Sequence, residues 1–460
     1  MPSQTPDRAD HAPGVRPSAL VVFFLLLALV RVLWVALYAN PLPFWDQWDA
    51  EISSMYLPLV HHDFRLGTLL HRHNEHIIFF TRLVNLLLFK ANHYVFNNVL
   101  ECLVNAIIYA LGATAFLALS NAGADRKAFL LVAAALFLVG ILPSGWENFT
   151  VGFQSQFYFM IWFTLVAGAL AARLPVSLRS SALLALLTVC ASISMAAGAL
   201  AGVLVALVLT TRALFDRTAR TAIALASIML QLVTAVLFIR AIPSLPGDAA
   251  LKAHTLPSFI HAALMALSWP FVGSVSRTIL LWLPVALYAL VCAVRRKSPN
   301  TTDLSFFAVG AWVAMQAAAI AYARGAGLTF ISWRYTDILA FALPVNVYFL
   351  YRLLRSAQST THVFCTTLVL LVWGLYVSGA IDLQVRLGYD NLVAVAHMRS
   401  VESMNVRDYL SGDAAALTGK HGLEIPYPSG NRLRQLLSDA ATCRMMPASI
   451  QSELPHGCPP

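Results

Sequence analysis

Charged residues are scarce in this chain of 460 residues. Asp, Glu, Lys and Arg make up 12% of the sequence, hydrophobic residues make up 59%, and only 22 residues are acidic. Soluble domains usually contain about 25% charged and 45–50% apolar residues. The composition therefore excludes an ordinary cytosolic enzyme and a disordered or fibrous protein. Long apolar runs distributed over most of the chain indicate a polytopic membrane protein instead.

Motifs that identify several other chemistries are also absent. The sequence has no P-loop, no GxGxxG and no GxSxG, so nucleotide-driven transport and serine hydrolysis find no support. Its six cysteines are scattered and form no CxxC or zinc-type spacing. Cys443 and Cys458 lie in the polar C-terminal tail, and they could pair if that tail faces an oxidising compartment.

The net charge of +9 does not indicate a nucleic-acid-binding protein. The basic residues form small clusters between apolar runs, as the positive-inside rule requires, and they do not form one patch. We therefore predict a membrane-embedded protein with no nucleic-acid partner.

The apolar runs predict an all-α protein with about eleven transmembrane helices. The first run, 18–38, is long enough to span a hydrocarbon core, which needs about twenty residues. Arg31 lies inside this run, where it either snorkels to the interface or faces a functional site. The other predicted spans are 95–119, 128–142, 155–173, 180–195, 197–211, 219–241, 276–294, 304–323, 335–354 and 361–380.

A shorter apolar segment, 77–89, contains Arg82 and suits an interfacial or re-entrant helix. If it does not cross, the basic loops all fall on the cytoplasmic side, as expected for a bacterial inner-membrane protein. The prediction is then a cytoplasmic arm (1–17), a transmembrane domain (18–380) and an extracytoplasmic tail (381–460). The domain includes a long first external loop with interfacial helices, at about 40–94.

Acidic residues concentrate in this first external loop, in the segment WDQWDAE. In a helix, Asp46 and Asp49 share a face, and Glu51 follows closely. Neighbouring carboxylates can act as a general base or as metal ligands, but Asp is also common at solvated helix starts. Trp45 and Trp48 belong either to an interfacial aromatic belt or to a platform for a sugar ring.

A second polar group, HRHNEH, lies further along the same loop. His73, Glu75 and His76 have three interpretations: polar capping of an interfacial helix, contact with substrate, or metal binding. The spacing is not HExxH, so a zinc-protease mechanism finds no support.

Two later external loops contribute further candidates. Trp146 and Glu147 lie in a loop without Lys or Arg, which could face a neutral acceptor or simply anchor at the interface. Arg324 and Arg334 flank another loop. An arginine fork binds phosphate in two places, although interfacial anchoring is the alternative.

A first helix, a long external loop with an acidic motif and many further spans resemble the GT-C class of integral-membrane glycosyltransferases. The acidic residues that match are Asp46, Asp49 and Glu51, although their spacing is D-x-x-D-x-E rather than a strict DxD. HRHNEHIIFFTRL and RGAGLTFISWRYTD are also similar to bacterial GT-C-like sequences. The resemblance covers roughly residues 18–380.

The resemblance implies transfer of a sugar from a polyprenyl-phosphate donor to a cell-envelope glycan or lipid acceptor. Asp49 is the first choice as base, followed by Asp46 and then Glu51. No cofactor is firmly implied, and a divalent metal, Mg²⁺ or Mn²⁺, stays an open alternative. The competing functions are a lipid or polysaccharide transporter and a non-catalytic envelope-assembly subunit.

Overall fold

The computed structural model describes residues 16–121, 125–215, 221–271, 273–452, 454 and 458. The predicted arm, 1–17, lies almost entirely outside the described residues. The α-helices are α1 (Pro17–Tyr38), α2 (Leu57–Val60), α3 (Phe79–Ala91), α4 (Asn98–Asn121), α5 (Arg126–Ile141), α6 (Trp146–Thr150), α7 (Ser155–Arg173), α8 (Leu178–Ser192), α9 (Leu200–Phe215), α10 (Ala222–Arg240), α11 (Asp248–Leu251), α12 (Leu256–Leu267), α13 (Val275–Val294), α14 (Thr301–Arg324), α15 (Trp333–Leu339), α16 (Ala342–Ser356), α17 (Thr360–Leu410), α18 (Gly430–Leu437), α19 (Ala440–Met445) and α20 (Ala448–Gln451).

Other regular elements are short. A π-helix covers Trp48–Tyr56, and two-residue strands, β1 (Arg72–His73) and β2 (His76–Ile77), pair antiparallel in a hairpin. Short 3₁₀ helices cover Leu66–Leu70, Pro143–Gly145, Gly152–Gln154, Ala196–Ala199 and Ala414–Leu417. The predicted all-α fold is confirmed.

Nine helical segments among the described residues are long and apolar enough to cross a membrane. A tenth results if α5 and Pro143–Thr150, bent by 50° relative to each other, form one span. The predicted count of about eleven is close to these nine or ten segments, and one predicted span does not meet the criteria. The segment that fails is 180–195, because α8 has only 15 residues and is about 22 Å long.

Helix α8 nevertheless joins the two ends of the helix bundle. Just before it, Arg173 donates a hydrogen bond to Thr302 Oγ1 at the start of α14. Just after it, the Ile193 carbonyl accepts from the Phe79 amide in the first loop, at 3.0 Å. The segments before and after α8 therefore contact opposite ends of the bundle, although α8 itself is short.

The first loop and the C-terminal segment fold together into one unit. Apolar residues from both share a core, in which Trp48, Phe89 and Phe96 of the first loop pack with Val406 and Met446. We call this unit the loop lobe and define it as residues 40–97 and 399–451, together with Cys458, which is joined to the lobe through Cys443. Helix α3, which has 13 residues and corresponds to the predicted interfacial segment, belongs to this lobe.

Helix α17 connects the bundle to the loop lobe. It contains 51 residues without interruption and is therefore about 77 Å long, more than twice a hydrocarbon core of about 30 Å. It continues through residue 380, so the C-terminal segment starts as an extension of the last span. Within the lobe, Cys443 and Cys458 form a disulfide.

Arg31 faces the interior of the bundle rather than its surface. Its Nε donates to the Gly140 carbonyl at 2.6 Å and its Nη1 to Tyr158 at 2.7 Å. The guanidinium also pairs with Asp337 at 3.3 Å and lies 3.6 Å from the centroid of the Tyr109 ring. Of the two predicted roles, snorkelling is excluded, because the buried charge is fully partnered.

Candidate functional site

A small polar cavity lies where the loop lobe meets the helix bundle. Its volume is about 70 Å³. We call it the junction cavity. Residues from five parts of the chain line it: Asp46, His73, Asn74, Glu75, His76, Phe153, Gln154, Gln156, Phe157, Met195, Arg324, Arg334 and Tyr335. Six of the twelve predicted site residues are among them.

The β1–β2 hairpin presents the histidines to this cavity. His73 and His76 are directly paired across the hairpin, and residues opposite each other on antiparallel strands project from the same face. Asn74 occupies the turn with a φ of 51°, a left-handed conformation that Asn tolerates better than most residues. The sequence HRHNEH thus forms a tight hairpin, which places His73 and His76 on one face.

Asp46 is half-exposed at the edge of the junction cavity. Its Oδ1 lies 3.4 Å from His73 Nε2, and 45% of its side chain is exposed. Partial burial raises its pKa, but the hydrogen bond and charge of His73, with smaller contributions from Arg334 and His76, outweigh that effect. The pKa of Asp46 is lowered overall, so the carboxylate is ionised at neutral pH.

Glu75 and His76 connect the hairpin to the bundle. Arg324 Nη2 lies 3.2 Å from Glu75 Oε1, and His76 Nε2 lies 3.6 Å from the same oxygen. The Ala196 amide donates to His76 Nδ1 at 3.3 Å. Burial lowers the pKa of His76 to about 4, aided by nearby cations and opposed by Glu75. His76 is therefore neutral at pH 7, with its proton on Nε2.

The second cation, Arg334, has spare hydrogen-bonding capacity. Its Nε lies 3.6 Å from Glu147 Oε1, which is too long for a hydrogen bond, and this buried nitrogen has no other partner among the described residues. Glu147 is held in place by the Ser332 hydroxyl and the Arg334 amide, each at 3.2 Å. An unpaired buried donor beside the cavity is suited to an anionic oxygen.

Asp49 faces the C-terminal segment instead of the junction cavity. Tyr427 donates a hydrogen bond to Asp49 Oδ2 at 2.7 Å, and Arg432 lies 3.9 Å from Oδ1. The π-helix begins at Trp48, and its wider turn no longer stacks residues three apart as an α-helix does. Asp46 and Asp49 consequently have different surroundings.

Glu51 is completely buried. Its carboxylate accepts hydrogen bonds from Asn85 at 2.6 Å and from Gln47 at 3.1 Å. The same Gln47 amide donates to Glu101 at 2.9 Å, which links two buried acids. Burial raises the pKa of Glu51 to about 7, although the hydrogen bonds and Arg82 oppose the shift.

The three tryptophans differ in exposure. Trp45 is 45% exposed and contacts the Phe44 ring at 5.8 Å between centroids. Trp48 is completely buried in the lobe core. Trp146 is buried against Leu392 of α17. Among these side chains, Trp45 alone has an accessible ring of the kind a sugar needs.

Sequence reasoning did not select several residues that line the cavity or support it. Gln154, Gln156 and Tyr335 line the junction cavity, and Gln47 bridges the buried acids. Gln154 and Gln156 could have been found from the sequence, because they follow Trp146 and Glu147 in a loop without basic residues. Glu101, the second buried acid that Gln47 contacts, could also have been found, because it is an acidic residue near the start of an apolar run.

The cavity residues do not form a metal site. Among the described residues, no group of three or more His, Cys, Asp or Glu side chains could hold a metal ion. Glu75 pairs with Arg324, and His73 pairs with Asp46, so the two potential ligands on the hairpin turn already have partners. We derive no chemical step through a metal.

Comparisons with solved structures give distant likenesses, and one of these structures is an archaeal oligosaccharyltransferase. The archaeal oligosaccharyltransferase AglB from Archaeoglobus fulgidus, in complex with an inhibitory peptide and a dolichol-phosphate, is 11% identical, with a TM-score of 0.49. The match covers 91% of this chain and 59% of that chain, so this chain spans well under two thirds of that protein. No protein-family model and no curated protein matches the chain. A likeness of this degree carries no information on activity.

Proposed function

We propose that this protein is a GT-C-type membrane glycosyltransferase that uses a polyprenyl-phosphate sugar donor. The proposed acceptor is a cell-envelope glycan or lipid, on the outer face of a bacterial inner membrane. One observation carries the proposal. An ionised, half-exposed carboxylate, Asp46, lies at one cavity with two arginines, Arg324 and Arg334, where the loop lobe meets the helix bundle.

Asp46 is the base in this proposal. It accepts the proton of the acceptor hydroxyl as the acceptor oxygen forms a bond to the anomeric carbon. The bond from that carbon to the donor phosphate oxygen breaks, and the electron pair leaves with the polyprenyl phosphate. Asp49 was the first choice from sequence, but its bonds to Tyr427 and its orientation favour a structural role.

Arg334 and Arg324 stabilise the departing phosphate. Arg334 Nε has no hydrogen-bond partner among the described residues, so phosphate would compete there only with the longer ion pair to Glu147, at 3.6 Å. Arg324 exchanges Glu75 for phosphate, because charge-assisted bonds from a guanidinium suit both anions. Trp45, at the surface beside Asp46, is the proposed stacking surface for a sugar ring.

Donor binding requires the junction cavity to open. Its volume of about 70 Å³ is below the roughly 300–1,000 Å³ of sites that hold small molecules. The hairpin is the element whose movement would enlarge it, since Glu75 joins the hairpin to Arg324 through a single ion pair. When this pair breaks, Arg324 keeps its weaker ion pair with Asp248, at 3.8 Å, and the hairpin moves only if the bond from the Ala196 amide to His76 breaks as well.

Complementation of a deletion strain tests the assignment of the base. We expect Asp46→Asn to lose the transferred sugar from the envelope glycan profile, with a drop in transfer of at least about 100-fold, as for loss of a general base. Asp49→Asn is expected to retain the product. Asp63→Asn, an exposed acid in the same loop, is the matched control. Protein level in the membrane is measured for each variant.

Two results would decide against this mechanism. An unchanged glycan profile for Asp46→Asn, at normal protein level, removes Asp46 as base. An unchanged profile for the double variant Asp46→Asn/Asp49→Asn removes loop-carboxylate chemistry altogether. Transport or assembly of envelope material would then be the leading functions.

A further inference from the structure

A second polar cavity lies at the other end of the helix bundle. Its volume is about 340 Å³, and Thr302, at the start of α14, is among its lining residues. Arg324, at the junction cavity, ends the same helix. The two cavities are therefore about 33 Å apart along α14, which is close to the thickness of a hydrocarbon core. We call this one the basic cavity.

The basic cavity has an excess of positive charge. Four cations line it, contributed by the turn after α13 and by the end of α16: Arg295, Lys297, Arg352 and Arg355. Asp125 is the sole acidic residue that lines it within the described parts of the chain. The Asp125 carboxylate already caps α5, by accepting from the Lys127 and Ala128 amides, and also accepts from the Tyr351 hydroxyl.

The cations differ in how far they are neutralised. Arg352 pairs at 3.1 Å with Asp303, which is buried behind the cavity. For Lys297 and Arg355, the described residues provide no ion pair. Both are exposed and line the cavity, so each can reach an anion that enters it.

An apolar groove of about 590 Å³ adjoins the basic cavity. The two share Cys292 and Lys297 as lining residues. The rest of the groove is mainly apolar, with Phe215 and Phe307 among its residues. A cationic pocket that continues into an apolar groove between spans matches a molecule with a phosphate at one end and a hydrocarbon chain at the other.

We propose that this end of the bundle binds one anionic phospholipid of the adjacent leaflet. The phosphodiester lies in the basic cavity between Lys297 and Arg355, and an acyl chain lies in the apolar groove. Basic pockets between transmembrane helices commonly bind lipid head groups in this way. The site is separate from the junction cavity, and the inference does not depend on the proposed function.

Native mass spectrometry of the full chain in detergent tests the proposal. The protein is incubated with phosphatidylglycerol or with phosphatidylcholine of the same acyl chains, at about 150 mM salt. We expect phosphatidylglycerol to be retained at least about tenfold better. Lys297→Gln/Arg355→Gln should reduce that retention by about tenfold or more, since each cation near an anionic lipid contributes about fivefold.

Matched variants separate the head-group site from the groove. Arg179→Gln, an exposed basic residue in the first turn of α8 that lines neither cavity, is expected to retain the lipid. Ala289→Trp fills the groove from its exposed side and should reduce retention severalfold. Melting temperature confirms that each variant is folded.

Three results would overturn the proposal. Equal retention of the two lipids, or full retention by Lys297→Gln/Arg355→Gln, removes the head-group site. Unchanged binding in Ala289→Trp removes the acyl chain from the groove. Inorganic phosphate that raises the melting temperature as much as phosphatidylglycerol would show that the cavity binds soluble phosphate and not a lipid.

Discussion

Three carboxylates within six residues of one loop have three different environments. Asp46 is 45% exposed and contacts a histidine, Asp49 is 40% exposed and contacts a tyrosine and an arginine, and Glu51 is completely buried. Of the three, Glu51 alone is shielded from water. The cost of desolvating its charged form is the largest influence on its pKa. Burial therefore keeps Glu51 away from a substrate, whereas Asp46, which we propose as the base, is accessible.

The raised pKa of Glu51 predicts a specific pH dependence of stability. Folding raises this pKa from 4.5 to about 7, so the folded protein keeps a proton that the unfolded chain loses. The free energy of unfolding should fall as pH rises from about 4.5 to 7, by on the order of 3 kcal/mol. Glu51→Gln should remove that loss, so its stability relative to wild type should increase between pH 5 and pH 8.

Chemical or thermal unfolding of both proteins across this pH range measures the difference. Comparing the two proteins isolates Glu51, because His76 titrates in the same window and is unchanged between them. Asp63→Asn, with an exposed carboxylate, should follow the wild-type curve. A constant difference between Glu51→Gln and wild type would mean that Glu51 has an ordinary pKa.

At the scale of elements, close contact between α17 and a 3₁₀ turn fixes where the long helix crosses the bundle. Gly388 in α17 lies directly against Pro143–Gly145. A Cβ at Gly388 would lie 2.7 Å from the Ser144 amide nitrogen and 2.9 Å from its Cα. These are backbone atoms that cannot rotate away, so α17 itself would have to shift.

We expect Gly388→Ala to destabilise the protein by about 1–3 kcal/mol, the usual cost of overpacking. Gly374→Ala and Gly379→Ala, on the same helix, meet nothing within 4 Å and should be neutral or stabilising by up to about 1 kcal/mol. Unfolding of the purified protein in mixed micelles ranks the three variants. Equal stabilities of the three variants would show that α17 does not pack tightly against this turn at Gly388.

Periodicity and charge predicted most of the helices, because each apolar run is a local property of the chain. Every predicted span corresponds to a helix, including the 15-residue α8. The continuous course of α17 was not predictable, since its second half is polar and packs on residues distant in sequence, such as Ser144 and Trp146. The π-helix at Trp48–Tyr56, which turns Asp49 away from Asp46, also depends on contacts far along the chain.

At the scale of the whole molecule, charge and disulfide point to the same orientation. The basic clusters lie at the end of the bundle that carries the basic cavity, and the Cys443–Cys458 disulfide lies in the loop lobe at the other end. Positive clusters favour the cytoplasmic side, and disulfides persist in oxidising compartments. Both observations predict that the loop lobe is outside the cell membrane.

Cysteine labelling in intact cells tests this orientation. In a Cys365→Ser background, a membrane-impermeant maleimide should label Asp63→Cys in the loop lobe. Arg179→Cys, at the opposite end, should react only after the membrane is permeabilised. The reverse pattern would invert the topology and place the junction cavity in the cytoplasm.

The sequence predicted six of the thirteen residues that line the junction cavity, but not that these six lie together. His73, Glu75 and His76 were found as a polar cluster, and Arg324 and Arg334 as flanks of one loop. Their meeting with Asp46 depends on contacts between positions that are up to about 290 residues apart, which no local pattern encodes. Composition also gave no sign that Trp48 is buried, because belt and core tryptophans occur in similar sequences.

The shared core of the loop lobe has a consequence for biosynthesis. Half of that core comes from residues before Asn98 and half from residues after Met404. The first loop is synthesised long before the C-terminal segment. The roughly 350 residues between Phe96 and Met446 take about 20–70 s to translate at about 5–20 residues per second. During that interval, apolar side chains such as Trp48 and Phe89 lack the half of their core that the C-terminal segment supplies. The nascent first loop is thus a predictable client for chaperones and proteases of its compartment, and that exposure ends when residues 406–450 pack against it.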